Sequence, residues 1–245
     1  MKVSIMQPNL FMWCGLLKQI IDSDLHIILD HVPASKNSRY NRNMIARGGH
    51  STWLTVPFDN FSRHSNINEL LVNTSGQAKK KLFNQFKGYY FSSPYFNQSY
   101  EIISQCFAGL DSETSPLVKL YSNFLDSLTT LGLPFPRLIS SSELLPSHPE
   151  LLSMKGINLV NHLLSITSAS TYLAAKNTQQ YAKSSDYLID DIRIQHFNYV
   201  PYDQSVNASD SIEFVPNLSC LDFLSYHHVD FATPYLERSN TWVAL

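Results

Sequence analysis

The opening thirty residues constrain the fold more tightly than any other stretch. Val3–Met6 is a short apolar run closed by Gln7-Pro8. Proline has no N–H to give to a ladder, so it ends a buried strand rather than extending it. Gly15, Leu16, Leu17, Ile20 and Ile21 then recur at three- and four-residue spacing, the pattern of one buried helix face. Asp22-Ser23-Asp24 breaks that helix before a second apolar run, Leu25–Leu29. Strand, loop, helix and strand in this order predict a right-handed βαβ crossover with its loop at the carboxyl edge of the strands. Ligands of open α/β sheets bind at that edge, which makes Gln7 to Gly15 the first place to expect a site.

The chain of 245 residues is long enough to bury a sizeable core, and its net charge of −2 gives no electrostatic case for nucleic acid or an acidic membrane surface. Aromatic residues are plentiful and charged ones few, which suits a globular body with a lined cleft or a homo-oligomer interface rather than disorder. Cys14, Cys106 and Cys220 lie far apart without a CxxC pair, so neither a disulfide framework nor a zinc knuckle is expected. No cleavable leader follows the first residues and no run approaches the ~20 apolar residues that span a bilayer, so a cytoplasmic, soluble protein is expected.

Between His31 and His50 the composition turns abruptly polar, and the stretch reads as one long loop carrying Lys36, Arg39, Asn41, Arg42, Asn43 and Arg47 before Gly48-Gly49. Trp53–Pro57 and Ile67–Val72 read as further strands. After Gly76 the pattern is helical, with Ala78, Leu82, Phe83 and Phe86 on one face and lysines mostly elsewhere. Helices are expected again over Asn97–Phe107, Leu117–Leu131, Lys155–Thr167 and Ser219–Tyr226. Strands are expected at Arg137–Ile139, Thr171–Leu173 and Ile192–Val200, and the last dozen residues read as a tail. Asp111 to Pro116 reads as a linker. The alternation predicts an α/β fold, a Rossmann-like parallel sheet with helical insertions and a helical C-terminal part.

The chain has no GxGxxG after the first strand, no GxxxxGK[ST], no GxSxG and no HExxH, so the glycine cradles for dinucleotides and phosphates and the usual hydrolase and zinc helices are absent. The cationic stretch offers another route to an anion. Arginine presents a planar fork matched to phosphate and carboxylate, and Asn41 and Asn43 are suited to sugar hydroxyls; a solvated surface loop is the plain alternative. His26, His31 and His50 match no ligand spacing, and no metal site is expected. Cys14 stands at a helix start but between Trp13 and Gly15, which favours packing over nucleophilic chemistry. Ser140-Ser141-Ser142-Glu143 is either an anion-binding turn or an ordinary N-cap.

Taken together, Ile5-Met6-Gln7-Pro8 with Gly15 seven residues beyond, Asn41-Arg42-Asn43, Trp53-Leu54-Thr55-Val56-Pro57 and Ile67-Asn68-Glu69 resemble the WbqC-like protein family. Ser93-Pro94-Tyr95-Phe96, Leu131-Gly132-Leu133, Tyr202-Asp203-Gln204 and Phe214–Asp222 continue the resemblance in the family's order. The chain departs from it at Met12-Trp13-Cys14 and at Leu173-Ala174. A single domain over residues 1–245 is expected, with the opening unit and polar loop in 1–75, a mainly helical part in 76–135 and the remaining strands and helices in 136–228. The resemblance implies a bacterial protein of O-antigen or lipopolysaccharide gene clusters, with acyl or glycyl transfer to an amino sugar as the suggested activity. A more distant likeness is to nucleotidyltransferases of the HxGH class, although Met12-Trp13-Cys14-Gly15 holds neither histidine.

Three readings stay open on this basis: a transferase acting on a nucleotide-linked amino sugar, a nucleotidyltransferase or adenylate-forming enzyme, and a non-catalytic sugar-nucleotide binding protein. The candidate binding residues are Gln7, Pro8, Gly15, Lys36, Arg39, Asn41, Arg42, Asn43, Tyr95, Ser141 and Gln204. No catalytic residue and no cofactor is identified.

Overall fold

The computed structural model describes residues 1–35, 38–62, 64–110, 112–180, 182–205 and 213–245. The opening is the expected unit: β1 (Lys2–Met6), α1 (Cys14–Ile21) and β2 (Leu25–Ile28). Between strand and helix the chain turns sharply at Phe11, whose φ of 52° is a left-handed conformation rare for a bulky residue. Complete burial and an edge-on contact with Phe124, centroids 5.6 Å apart, hold it there.

The polar stretch is not one loop. Its second half is β3 (Arg42–Arg47), which pairs antiparallel with β4 (His50–Thr55). Gly48 and Gly49 both have positive φ, 58° and 76°, the requirement of a two-residue hairpin turn whose twist matches the strands. A small antiparallel sheet follows, with β5 (Phe58–Asn60) and β6 (Leu71–Asn73) in front of two helices, α2 (Gly76–Tyr90) and α3 (Phe96–Cys106). β7 (Thr114–Pro116) returns to pair with β6, so the expected linker is partly a strand, and Leu117 begins α4 (Leu117–Thr130). The chain re-enters the main sheet at β8 (Arg137–Ser140), turns through α5 (Ser141–Leu144), and crosses by α6 (Gly156–Ile166) to β9 (Thr171–Ala174) and β10 (Asp191–Phe197). Then come α7 (Cys220–Tyr226), α8 (Ala232–Ser239) and β11 (Asn240–Ala244).

The expected tail is therefore wrong: β11 is the antiparallel edge strand of the main sheet, paired with Arg193–Phe197. The apolar stretch Trp242–Leu245 is the sequence sign of it, and as an edge strand it is little buried. The sheet runs β11-β10-β9-β1-β2-β8, with all pairs parallel except the last-formed edge. Counting the parallel strands along the chain gives the order 3-2-1-4-5, the doubly wound, Rossmann-like arrangement. Strand residues alternate between two apolar layers. Val3, Ile5, Leu25 and Ile27 face Leu159 and Leu163 of α6, while Leu16, Leu17 and Ile20 of α1 belong to the layer shared with α2, α4 and α7. Among the described residues no helix is long and apolar enough to cross a membrane.

The start of α1 is fixed by one close approach. The Trp13 ring lies over Gly15 so closely that an added Cβ would come within 1.9 Å of it. Trp13 in turn meets Phe197 edge-on at 5.6 Å and Tyr199 at 6.2 Å, which resist its displacement on that side. Gly15→Ala is expected to lower stability by roughly 1–2 kcal/mol, because overpacking outweighs the gain in helix propensity. Chemical denaturation checks this; an unchanged or higher midpoint would mean that the ring is not seated there.

Candidate functional site

Strand order reverses between β1 and β9, because the crossover through α1 leads one way from β1 and the crossover through α6 returns on its other side. The carboxyl ends of these two strands are thus left without a covering connection, and a crevice opens there. A hollow of about 400 Å³ occupies it, lined by Met6 at the end of β1, Gln7, Pro8 and Asn9 after it, Leu29 after β2, Ser38, Arg39 and Tyr40, Val160 of α6, and Tyr172, Ala175, Asn177 and Thr178 around the end of β9. Its size is ordinary for a small-molecule site. A second hollow of about 340 Å³ adjoins it, with Ser38 and Tyr40 in both walls and Asn41, Arg42, Thr55 and Phe58 beyond.

Side-chain hydrogen bonds tie the two sources of this wall together. The Tyr40 hydroxyl donates to Gln7 Oε1 at 3.1 Å. With that oxygen engaged, the Gln7 amide hydrogens remain as donors. Asn43, fully buried, donates to Asn9 Oδ1 at 2.9 Å and accepts from Arg39 at 3.2 Å. Asn41 donates to the Val56 carbonyl at 2.7 Å, which anchors the strand entering the hairpin.

Arg39 and Arg42 share one aromatic support. The Arg42 guanidinium lies 4.4 Å from the Trp53 ring centre and that of Arg39 5.6 Å. In the hairpin register Arg42 faces Thr55 and Met44 faces Trp53, so Arg42 and Trp53 are diagonal neighbours on one face. Neither guanidinium has a carboxylate partner among the described residues. Burial draws Arg39 below its ordinary pKa, with Tyr199 opposing and Arg42 reinforcing. Two adjacent cations, one of them half desolvated, favour an anion between or beside them.

The structure thus brings Gln7, Pro8, Arg39, Asn41, Arg42 and Asn43 to one place, and it leaves the other expected residues elsewhere. Lys36 lies outside the described residues. Gly15 is under Trp13 in the first turn of α1. Tyr95 meets the His228 ring, and its N–H donates to the Ser225 carbonyl. Ser141 is fully buried between β2 and β8, with its hydroxyl 2.6 Å from His31 Nδ1 and 3.0 Å from Asp30 Oδ1. Asp30 also accepts from the Ser142 N–H and hydroxyl, so this turn is a cap held by an acid rather than an open anion cradle. His26 is fully buried with Nδ1 2.7 Å from the Ser4 hydroxyl, and burial pushes its pKa down to about 3. Burial raises the Cys14 thiol well above its usual range, with Cys220 and Asp222 adding to the effect. Both are structural.

Gln204 belongs to a different construction. Its amide nitrogen donates to Asp222 Oδ2 at 2.9 Å, where the Tyr202 hydroxyl also donates at 2.6 Å, while Tyr90 donates to Oδ1 at 2.6 Å. This fully buried carboxyl joins α2, α7 and the segment after β10. Burial raises its pKa to about 6 against the pull of those three donors.

Ser38, Tyr40 and Asn177 were not singled out by the sequence, while Asn9 figured there only within the stretch Gln7 to Gly15 and Trp53 only within a strand motif. Asn9 sits two residues beyond Gln7 in the same loop, and the glycine pair at 48–49 was a usable hairpin signal. Asn177 had none, because only the strand order brings the end of β9 beside β1. The WbqC-like protein family model matches residues 7–232 of the chain. No match is found among curated proteins or among solved structures.

The Asp222 carboxyl makes stability depend on pH. Its pKa is about 6 in the fold against an ordinary 3.8, so the fold favours the protonated form. The stabilisation is complete below pH 4 and is lost as pH rises through 6, in all roughly 3 kcal/mol. Relative to Asp222→Asn, the unaltered protein should lose about that much between pH 4 and 7 in urea unfolding. Parallel pH profiles for the two proteins would contradict it.

Proposed function

The chain belongs to the WbqC-like protein family, and on that footing we propose that it is a transferase acting on a nucleotide-linked amino sugar. It moves an acyl or aminoacyl group, such as glycyl, to the sugar's amino nitrogen in the assembly of surface polysaccharide. The supporting observation is the pair Arg39 and Arg42, unpaired with any described acid and carried by one tryptophan at the rim of the switch-point crevice. A diphosphate supplies the two forks of oxygen that such a pair needs.

In this reading the arginines hold the diphosphate across the two adjoining hollows, and Gln7 and Asn9 orient the sugar or the incoming carbonyl. The amine nitrogen attacks the carbonyl carbon of an activated donor. The C–N bond forms, the bond to the leaving group breaks, and the amine proton departs with that group. The donor must be activated beforehand, as a thioester, adenylate or aminoacyl ester, because a free carboxylate does not acylate an amine. Among the described residues lining the first hollow there is no His, Asp, Glu, Lys or Cys. Catalysis therefore rests on proximity and on amide donors at the carbonyl oxygen, each able to supply several kcal/mol. The same lack of an acid or base favours a second reading, a non-catalytic sugar-nucleotide binding protein. Nucleotidyl transfer has less support, since the Trp13 ring covers Gly15 where the HxGH class places its phosphate-binding histidines.

A thermal-shift panel of UDP-, dTDP- and GDP-linked sugars, ATP and CoA tests the binding. A nucleotide sugar is expected to raise the melting temperature, Arg42→Ala to weaken its binding by about ten- to hundredfold, and Arg42→Glu to abolish the shift. If no member of the panel shifts the folded protein, the proposal fails. Labelled product formed from an activated acyl donor separates transfer from binding alone.

A further inference from the structure

Away from the crevice, three side chains with metal-binding atoms meet on the outer side of the β8-to-β9 crossover. His148 precedes a 3₁₀ turn, Pro149–Ser153, which carries Glu150, and His162 projects from α6. His162 Nε2 lies 2.8 Å and His148 Nδ1 3.3 Å from the same Glu150 oxygen. All three donor atoms fall within 4.8 Å of one another. The two imidazole rings are 6.0 Å apart and nearly perpendicular, at 76°, so they are not stacked on one another.

Zinc bound at about 2.0–2.1 Å by nitrogen and oxygen in a tetrahedron holds its ligands about 3.3–3.4 Å apart. The His148 contact to Glu150, 3.3 Å, already has that separation, the His162 contact, 2.8 Å, must lengthen by about half an ångström, and the imidazole nitrogens stand within 4.8 Å of each other. Two imidazoles and a carboxylate suit a borderline divalent ion, whereas calcium and magnesium demand oxygen ligands throughout. The side chains remain between 26% and 41% exposed, so an ion has both an entry path and room for a water. Hydrogen bonding of the two imidazoles to Glu150 is the alternative role for the cluster, since each neutral ring has one N–H to donate to that oxygen; titration with metal separates the two.

We propose that His148, Glu150 and His162 form a binding site for a divalent transition-metal ion, zinc by preference, with three protein ligands and one open position. Val160 lines the crevice and His162 stands two residues on, a rotation of about 200° around the helix. The ion therefore sits behind α6, where it clips the 3₁₀ turn to the helix and closes the loop between residues 148 and 162. Its role is to stabilise the crossover, and it takes no part in the chemistry of the crevice.

The test uses the full chain freed of metal by chelator treatment and dialysis, then titrated with Zn²⁺ and, separately, with Co²⁺. One equivalent of Zn²⁺ by calorimetry, a rise in melting temperature, and a visible d–d absorption for Co²⁺ of tetrahedral intensity are expected. His162→Ala and Glu150→Gln should each reduce the affinity at least tenfold and remove the cobalt band. Should His162→Ala fail to fold, by circular dichroism, His148→Gln in the exposed turn serves in its place. Absence of stoichiometric binding to the unaltered chain, or undiminished binding by the folded variants, would overturn the proposal.

Discussion

The molecule depends on a reversal of direction within one sheet. Right-handed crossovers that leave β1 on one face and return beside it from the other place α1 and α6 on opposite sides. Neither connection can cover the carboxyl ends of β1 and β9, so a crevice is a geometric consequence of the winding. Everything else in the candidate site is furniture for that opening. The loop after β1 supplies amides, the segment after β9 supplies Asn177 and Thr178, and the β3–β4 hairpin swings cations over the rim.

The hairpin is not part of the main sheet, so its position has to be secured by side chains. Tyr40 to Gln7 and Asn43 to Asn9 do this, each joining the hairpin side to the loop after β1. Because the same bonds engage the side-chain oxygens of Gln7 and Asn9, they leave the amide hydrogens of both as donors. A wall of amide donors and guanidinium groups with no described acid among them suits an oxyanion. The strained backbone at Phe11, costing on the order of 1–3 kcal/mol, sits in that same loop and is sustained by burial.

Much of the sheet was legible in the sequence because buried parallel strands are short apolar runs with sharp ends. Val3–Met6, Leu25–Leu29 and Arg137–Ile139 all emerge as strands close to their expected bounds. The crossover helix α6 and the amphipathic α2 were equally plain from their periodicity. What failed was polar strand: β3 carries two arginines and an asparagine, and β11 is half exposed, so their apolar stretches, Met44–Ala46 and Trp242–Leu245, are short and preceded by polar residues. Site residues divide along the same line. Gln7, Pro8, Arg39 and Arg42 were found because they lie in or beside the first crossover, whereas Ser141 and Gln204 looked alike in sequence but turn inward to Asp30 and Asp222. Polarity in a string does not tell an inward hydrogen bond from an outward one. His148, Glu150 and His162 were invisible for a related reason, since a turn and a helix bring them together at unrelated spacings.

The central claim is that an oxyanion is held where Arg39 and Arg42, before and at the start of the hairpin, meet the loop after β1. A crystal structure with a nucleoside diphosphate sugar tests it most directly. The account predicts phosphate oxygens within hydrogen-bonding distance of both Arg39 and Arg42, with the sugar against Gln7 and Asn9. Phosphates seated elsewhere on the molecule, with those two guanidinium groups still bare, would contradict it.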